Sequence, residues 1–340
     1  MKIGKFDTNK KVFIIAELSA NHNGSLQIAK DTIYAAKESG ADAIKLQTYT
    51  PEWMTIKCDK PEFKAGDLWK DEYLFDLYKK AMTPLEWHEE LFNYARSLGL
   101  EVFSSPFSKE AVDFLEQFNP PAYKIASFEI TDYELIDYTA SKSKPIIVST
   151  GIAEFEDIQN AVDTAKKYNV DIALLKCTSA YPAPRSEVNL KTIPAMQDIF
   201  NVTIGFSDHT LGISAPIAAV TMGARIIEKH FILDKNLNSP DKDFSLTPNE
   251  FKEMVKAVRE VEEMMGSVDF KPKKGKNFAR SLYVVKDIKK GEKFSTENVK
   301  AIRPGYGLHP KYLPKIIGKT ASCDIIKGER MKWEYIQCEN

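Results

Sequence analysis

Two histidines, His209 and His230, each close a short apolar run, VTIGFSDH and RIIEKHF. Side chains alternate along a strand, so Gly205, Ser207 and His209 share one face of the first run, and Ile226, Glu228 and His230 one face of the second. If the two runs are neighbouring parallel strands, about 5 Å apart, both imidazoles leave the same end of the sheet and can grip one divalent ion. A lone histidine is more often structural, but two in one register on successive strands predict a metal site. Other polar groups fall at the ends of other apolar runs. Glu17, followed by Asn21 and His22, ends the first; Lys45 and Gln47 lie in the second; Ser104-Ser105-Pro106 end the third; Lys124, Ser127 and Glu129 belong to the fourth. Then come Ser149-Thr150-Gly151, Lys176 with Ser179 and Tyr181, Ser207 with Asp208, and Glu228 with Lys229. Apolar strands buried on both faces hold almost no charge, so lysines within them need a partner, and an anionic ligand bearing phosphate or carboxylate is the economical one. The structural alternative pairs Lys45 and Lys124 with Glu17 and Glu129 inside the sheet. His22, in NHNG, suits loop ordering as well as function, and His88, in EWHEE, reads as surface.

The elements that must position these groups alternate. From residue 12 the apolar runs VFIIAELS, AIKLQTY, EVFSSPF, AYKIASF, PIIVSTG, IALLKCTS, VTIGFSDH and RIIEKHFI are separated by stretches of helical period, among them 25–40, 83–99 and 154–169. Strand and helix alternating about eight times in roughly 255 residues predict a (β/α)8 barrel rather than an open sheet, with the site at the C-terminal ends of its strands. The long insertion at 50–82 carries Trp53, Trp69, Tyr73 and Tyr78 and should lie over that face, each aromatic most simply packing it down. Residues 1–266 then form the barrel domain and 267–277 a basic solvated linker. Residues 278–340, with short β-like runs and turns such as KKGE, form a small β-rich domain able to cover a site.

Composition excludes several classes. With 43% hydrophobic residues and a net charge of -1, nothing points to nucleic acid or a membrane surface. No apolar stretch reaches the ~18 residues of a membrane span, and MKIGKFDTNKK lacks a signal peptide's apolar region. Cys58, Cys177, Cys323 and Cys338 form no CxxC, which predicts reduced thiols and a cytoplasmic chain. Two other readings remain open at this point. Lys176 could form a Schiff base with a carbonyl substrate, as in class I aldolases, although the histidine pair would then be superfluous. The C-terminal domain could instead be a carbohydrate-binding or ice-binding-like module.

Taken in order, IIAELSANHNGS, GADAIKLQTYTP, FSSPFS, YKIASFE, VSTGIA, LLKCTSAYP, GFSDHTLG and IEKHFILD resemble the sialic acid synthase family, and ARSLYVVKDIKKGE with RPGYGLHPK resembles its C-terminal antifreeze-like (SAF) domain. AELSANHNG, KLQTYTP and RPGYGLHPK look most like the pseudaminate-forming branch. The resemblance implies an α/β fold, a TIM barrel followed by the SAF cap. It also implies condensation of phosphoenolpyruvate (PEP) with the open-chain aldehyde of an N-acetylated amino sugar, releasing phosphate. For that branch the sugar is 2,4-diacetamido-2,4,6-trideoxy-L-altrose; neuraminate and legionaminate precursors are the alternatives. By family position His209 and His230 would bind manganese or magnesium, with cobalt possible. Lys45, Ser104, Lys124, Ser127, Ser149, Ser179 and Ser207 would hold PEP. Glu17, Tyr181 and Asp241 would contact the sugar, together with Arg303 from the partner's cap in a domain-swapped homodimer. Glu129 would handle a proton. Ser179 stands where the family carries Asn, which puts its contact in doubt.

Overall fold

The computed structural model describes residues 1–66, 72–271 and 274–338, so Trp69 lies outside the described residues. The chain divides into two compact units, Met1–Gly266 and Ser267–Asn340. In the first, eight parallel strands close into a barrel in chain order. They are β1 (Phe13–Glu17), β2 (Ala43–Thr48), β3 (Glu101–Pro106), β4 (Tyr123–Ile125), β5 (Ile146–Ser149), β6 (Ile172–Cys177), β7 (Thr203–Asp208) and β8 (Ile226–His230). β8 closes on β1 with His230 opposite Glu17, and pairs with β7 with Glu228 opposite Ser207.

Outward residues of these strands, such as Ile14, Leu46, Val102, Leu174 and Phe206, pack under surrounding helices to form the larger core. Inward residues form a separate apolar plug: Phe13, Ile15, Ala43, Phe103, Ala122, Ile147, Ala173, Leu175 and Ile226. Ile3 and Phe6, from the antiparallel pair Lys2–Ile3 and Phe6–Asp7, join this plug. Glycine is required at one point of it. A Cβ at Gly205 would lie 2.5 Å from Leu175 Cδ2 and 2.6 Å from the Ile226 carbonyl oxygen.

Helices start where the sequence supplies caps. Ser25 accepts from Ile28 N (3.3 Å) ahead of α1 (Leu26–Glu38), and Thr247 with Glu250 forms a capping box, with Pro248 at the first position of the helix Pro248–Met265. The helix expected over 83–99 begins only at His88, after a 3-10 turn at Leu85–Trp87. That turn brings His88 inward. Its Nε2 lies 2.8 Å from Thr48 Oγ1, and its ring packs edge-on against Phe114 at 5.2 Å, so the surface reading of His88 is corrected: it is fully buried. The insertion after β2 folds into Pro51–Met54 and Leu74–Ala81. Tyr73 donates to the Asp59 carbonyl (3.1 Å) and Tyr78 meets Tyr49 edge-on at 5.9 Å, so both aromatics pack.

Among its described residues the second unit holds one antiparallel pair, Ser281–Val284 with Val299–Ile302, and isolated bridges around a core of Leu282, Val284, Ile288, Phe294, Val299, Ile316 and Met331. Among the described residues no helix is long and apolar enough to cross a membrane. Gly205→Ala should cost about 1–3 kcal/mol through overpacking, which thermal denaturation will show as a midpoint several degrees lower. An unchanged midpoint would mean that the plug has room to spare.

Candidate active site

Two residues above the apolar plug, every strand changes chemistry. Ile15, Ala43, Phe103, Ala122, Ile147, Leu175, Gly205 and Ile226 give way to Glu17, Lys45, Ser105, Lys124, Ser149, Cys177, Ser207 and Glu228. The period of two makes this a complete polar layer across the barrel. It lines a deep cavity of about 60 Å3, bordered above by Gln47, Ser127, Tyr181, His209 and His230. A wider cavity of about 470 Å3 shares Gln47, Ser127, Tyr181 and His230, and adds Ser19, Glu129, Asp241 and, from the insertion, Leu74, Leu77 and Tyr78. The insertion therefore does lie over the C-terminal face.

The charges of the deep cavity are interlocked. Lys45 Nζ stands 2.5 Å from Glu17 Oε2, at ion-pair distance without hydrogen-bond geometry, and 3.7 Å from Glu228 Oε1. Lys124 Nζ donates to Ser149 Oγ (2.7 Å) and lies 4.0 Å from the same Glu228 oxygen. The expected structural pairing thus holds for Lys45 with Glu17, while the carboxylate beside Lys124 is Glu228 rather than Glu129. Burial pushes Glu228 up, but the two ammoniums prevail and hold it below the usual range. Burial carries Glu17 up to about 7 against the pull of Lys45. Burial pulls Lys124 below the usual lysine range, whereas Lys45, although as deeply buried, is held above it by Glu17 and Glu228, so an arriving anion would favour the charged form of both lysines.

The two histidine rings lie 5.4 Å apart between centroids. His209 Nδ1 donates to the Thr178 carbonyl (3.1 Å), which turns Nε2 towards ligation. Burial opposes its protonation, but Cys177 and that carbonyl raise its pKa, so a metal ion would compete there with a proton. Burial and the positive charge of His209 and the lysines pull His230 well down, which keeps it a neutral imidazole. Its Nδ1 is buried without a hydrogen bond, 3.8 Å from Asp241 Oδ2. Among the described residues no three His, Cys, Asp or Glu side chains converge as a metal-ligating group, so the chain offers two imidazoles. This donor set would fit an ion that takes its remaining ligands from substrate and water, as oxygen-preferring divalent ions do.

The other sequence-predicted residues divide. Ser127, Ser149 and Ser207 face the deep cavity, and Ser127 Oγ and Ser179 Oγ are 2.7 Å apart beneath Gly151, where any Cβ would collide with both. Glu129 lines the outer cavity, its carboxyl pushed up by burial to about 7, with Oε2 unpartnered. Asp241 accepts a hydrogen bond from Ser19, which also takes one from Gln47 (3.0 Å). Ser104 is corrected: it points out of the barrel to Thr48 Oγ1 (2.6 Å), while Ser105 faces inward and reaches Lys45 (3.2 Å). Lys176 also points outward and bonds the Cys177 carbonyl (2.6 Å), so it is no interior nucleophile. Lys229 faces away too, onto Asp208 at 2.7 Å. His22 orders its loop, Nδ1 accepting from Gly24 N at 3.1 Å. Arg303 is exposed in the second unit. Phe244, which nothing in the sequence singled out, is wedged against His230 (4.8 Å), Tyr181 (5.2 Å) and His209 (6.1 Å).

The NeuB family model matches residues 32–270, and a SAF domain model matches 279–335. The chain belongs to the NeuB family. Its relatives include a pseudaminic acid synthase of Campylobacter jejuni, 52% identical over 98% of both chains, and an N,N'-diacetyllegionaminic acid synthase of Legionella pneumophila, 39% identical over 96% of this chain and 94% of that one. A crystal structure of N-acetylneuraminic acid synthetase from Leptospira borgpetersenii superposes with a TM-score of 0.72 at 30% identity, covering 80% of this chain and 92% of that one. As a member of this family the chain is an enzyme with a TIM barrel and a SAF domain, as its motifs implied.

The Glu129 carboxyl yields a prediction independent of substrate. Its folded pKa of about 7 exceeds the ordinary 4.5, so its contribution to stability is fully present below 4.5 and is lost as pH rises through 7. Glu129→Gln should flatten the fall of the unfolding midpoint across that window. Unchanged pH dependence would mean that Glu129 titrates normally.

Proposed function

We propose that this chain condenses PEP with 2,4-diacetamido-2,4,6-trideoxy-L-altrose and water, giving pseudaminate and inorganic phosphate. The full-length 52% identity with a pseudaminic acid synthase carries the reading. The barrel interior agrees with it, since two lysines above an apolar floor suit a small phosphorylated carboxylate. Lys45, Lys124, Ser127, Ser149, Ser179 and Ser207 hold PEP, with Ser105 taking the place first given to Ser104. Tyr181 and Asp241 contact the sugar in the wider cavity, and Glu17 meets it from the deep cavity below.

C3 of PEP attacks the aldehyde carbon, whose oxygen takes up a proton to become a hydroxyl. Water adds to the cationic C2 and gives up one proton, matching the one taken up by the aldehyde oxygen. The C2 hydroxyl then loses its remaining proton as the 2-keto acid forms, and phosphate leaves with the C-O bond electrons and takes up that proton. Glu129, with a pKa near neutrality, is suited to move one of these protons. The lysines stabilise phosphate charge in a low-dielectric interior, and the fixed walls hold the two substrates face to face. A divalent ion held by His209 and His230, manganese or magnesium with cobalt as a third choice, would supply Lewis-acid polarisation of the aldehyde oxygen.

The 39% identity with a legionaminic acid synthase keeps that sugar as the second reading, with the N-acetylneuraminate precursor behind it. Phosphate release from PEP should occur with the altrose derivative and fall to background with the other two sugars. Excess chelator should abolish it, manganese should restore it, and His209→Ala or His230→Ala should each cost several orders of magnitude in rate. Full turnover in chelator rejects the metal, and preference for another sugar rejects the pseudaminate assignment. Lys124→Ala should weaken PEP binding in calorimetry far more than sugar binding.

The reading places the enzyme in the cytoplasm as a domain-swapped homodimer in which Arg303 reaches the partner's sugar site. Arg303→Ala mixed with Lys124→Ala should then regain activity that neither has alone. With random exchange half of the dimers are hybrids with one whole site of two, so recovery should approach about a quarter of wild type. Inactivity after demonstrated subunit exchange would remove Arg303 from the partner's site.

A further inference from the structure

We propose that the buried pair Asp208 and Lys229 is a clamp that sets the spacing of the two imidazoles, and hence the affinity of the site for a divalent cation. This rests on the reading of His209 and His230 as the residues that hold the ion. Asp208 and Lys229 are register partners on β7 and β8, and each is the immediate chain neighbour of one of the histidines. Both side chains are wholly inaccessible, and they point away from the barrel interior, opposite to Ser207 and Glu228.

The pair reaches past His209 to the residue beyond it. Lys229 Nζ lies 2.7 Å from Asp208 Oδ2 and also donates to the Thr210 carbonyl, while Asp208 Oδ1 accepts from Thr210 N at 2.8 Å. Both peptide groups of Thr210 are therefore held, and His209 sits between two restrained neighbours. Its own carbonyl accepts from Ala183 N at 2.9 Å. The backbone that aims the His209 ring is thus tied to the residue beside His230. A change in this tie moves one imidazole relative to the other.

A buried ion pair is weak evidence for stability, because desolvation offsets its attraction and apolar replacements are often neutral or better. Registry is the role that remains, and the Thr210 contacts show what is registered. Among the described residues no third His, Cys, Asp or Glu joins the two imidazoles, so their separation is what these residues would contribute to the coordination geometry.

The test is equilibrium binding of Mn2+ alone, read from the electron paramagnetic resonance signal of the free ion, with thermal denaturation alongside. The double variant Asp208→Leu, Lys229→Met should keep a melting midpoint close to wild type and bind Mn2+ about 10–100-fold more weakly, the cost typical of losing the groups that orient ligands. Asp208→Asn, which preserves shape and an acceptor for Thr210 N, should weaken binding by a smaller factor and decides the matter alone if the double variant does not fold. Wild-type affinity in the folded variants, whatever their melting midpoint, overturns the clamp and leaves the pair a purely structural one. A wild-type protein that binds no Mn2+ overturns the metal reading and the clamp with it.

Discussion

The Glu228 carboxylate, flanked by the ammoniums of Lys45 and Lys124, is the interaction on which the rest of this structure depends. Three ionised groups cannot stand in a closed barrel unless each faces the others, since stranding one would cost several kcal/mol. They therefore share one layer, two residues above the apolar plug. The strand register enforces this, with Glu17 opposite Lys45 on β1 and β2, and Glu228 opposite Ser207 on β7 and β8. Glu17 is the adjustable member. Burial brings it to about 7, so its protonation can answer the arrival of negative charge without moving a strand.

The plug below and the turns above make different demands. Plug residues must fill the barrel at native density, which is why Gly205 admits no Cβ against Leu175 and Ile226. The rim is held by local polar bonds. Asn21 donates to the Phe231 carbonyl (2.9 Å) and to Ser245 Oγ (2.8 Å), pinning the loop that carries Asp241 and Phe244. Ser19, in the left-handed region at φ 46, places its hydroxyl between Gln47 and Asp241. A serine in that conformation is costly and is kept where the side chain has partners only there.

Much of this was legible in the chain because barrel strands announce themselves as apolar runs and their ends as polar exceptions. The histidine pair followed from the period of two counted on runs that have one obvious inward face. Ser104 and Lys176 mark where that counting lacked an anchor. In VFSSPF two identical serines occupy opposite faces, and in LLKCTS the lysine drew attention while Cys177 took the interior position. His88 misled because its helix starts later than the charged stretch around it suggests, which turns the ring onto Thr48 and Phe114. Phe244 carried no local signal at all. It reaches the imidazoles only because a long loop after β8 is anchored from the other side of the barrel seam, on Asn21.

This contrast separates the two halves of the proposed reaction. Most groups around the deep cavity come from strands, whose positions are fixed by ladders of backbone hydrogen bonds and by the packed plug beneath them, with Ser127 and Tyr181 reaching in from turns. Groups that only the wider cavity has come mostly from the 3-10 turn at Ser127–Glu129, the insertion after β2 and the loop carrying Asp241. A ladder position cannot shift without moving the whole barrel, whereas a loop can be rebuilt while the barrel stands. The deep cavity is therefore the part that tolerates least change, and on the proposed reading discrimination among amino sugars of similar size belongs to the rim. That is also why a chain of this fold declares its shared reaction in its strands and its particular sugar only in loops, where residue type reveals least about position.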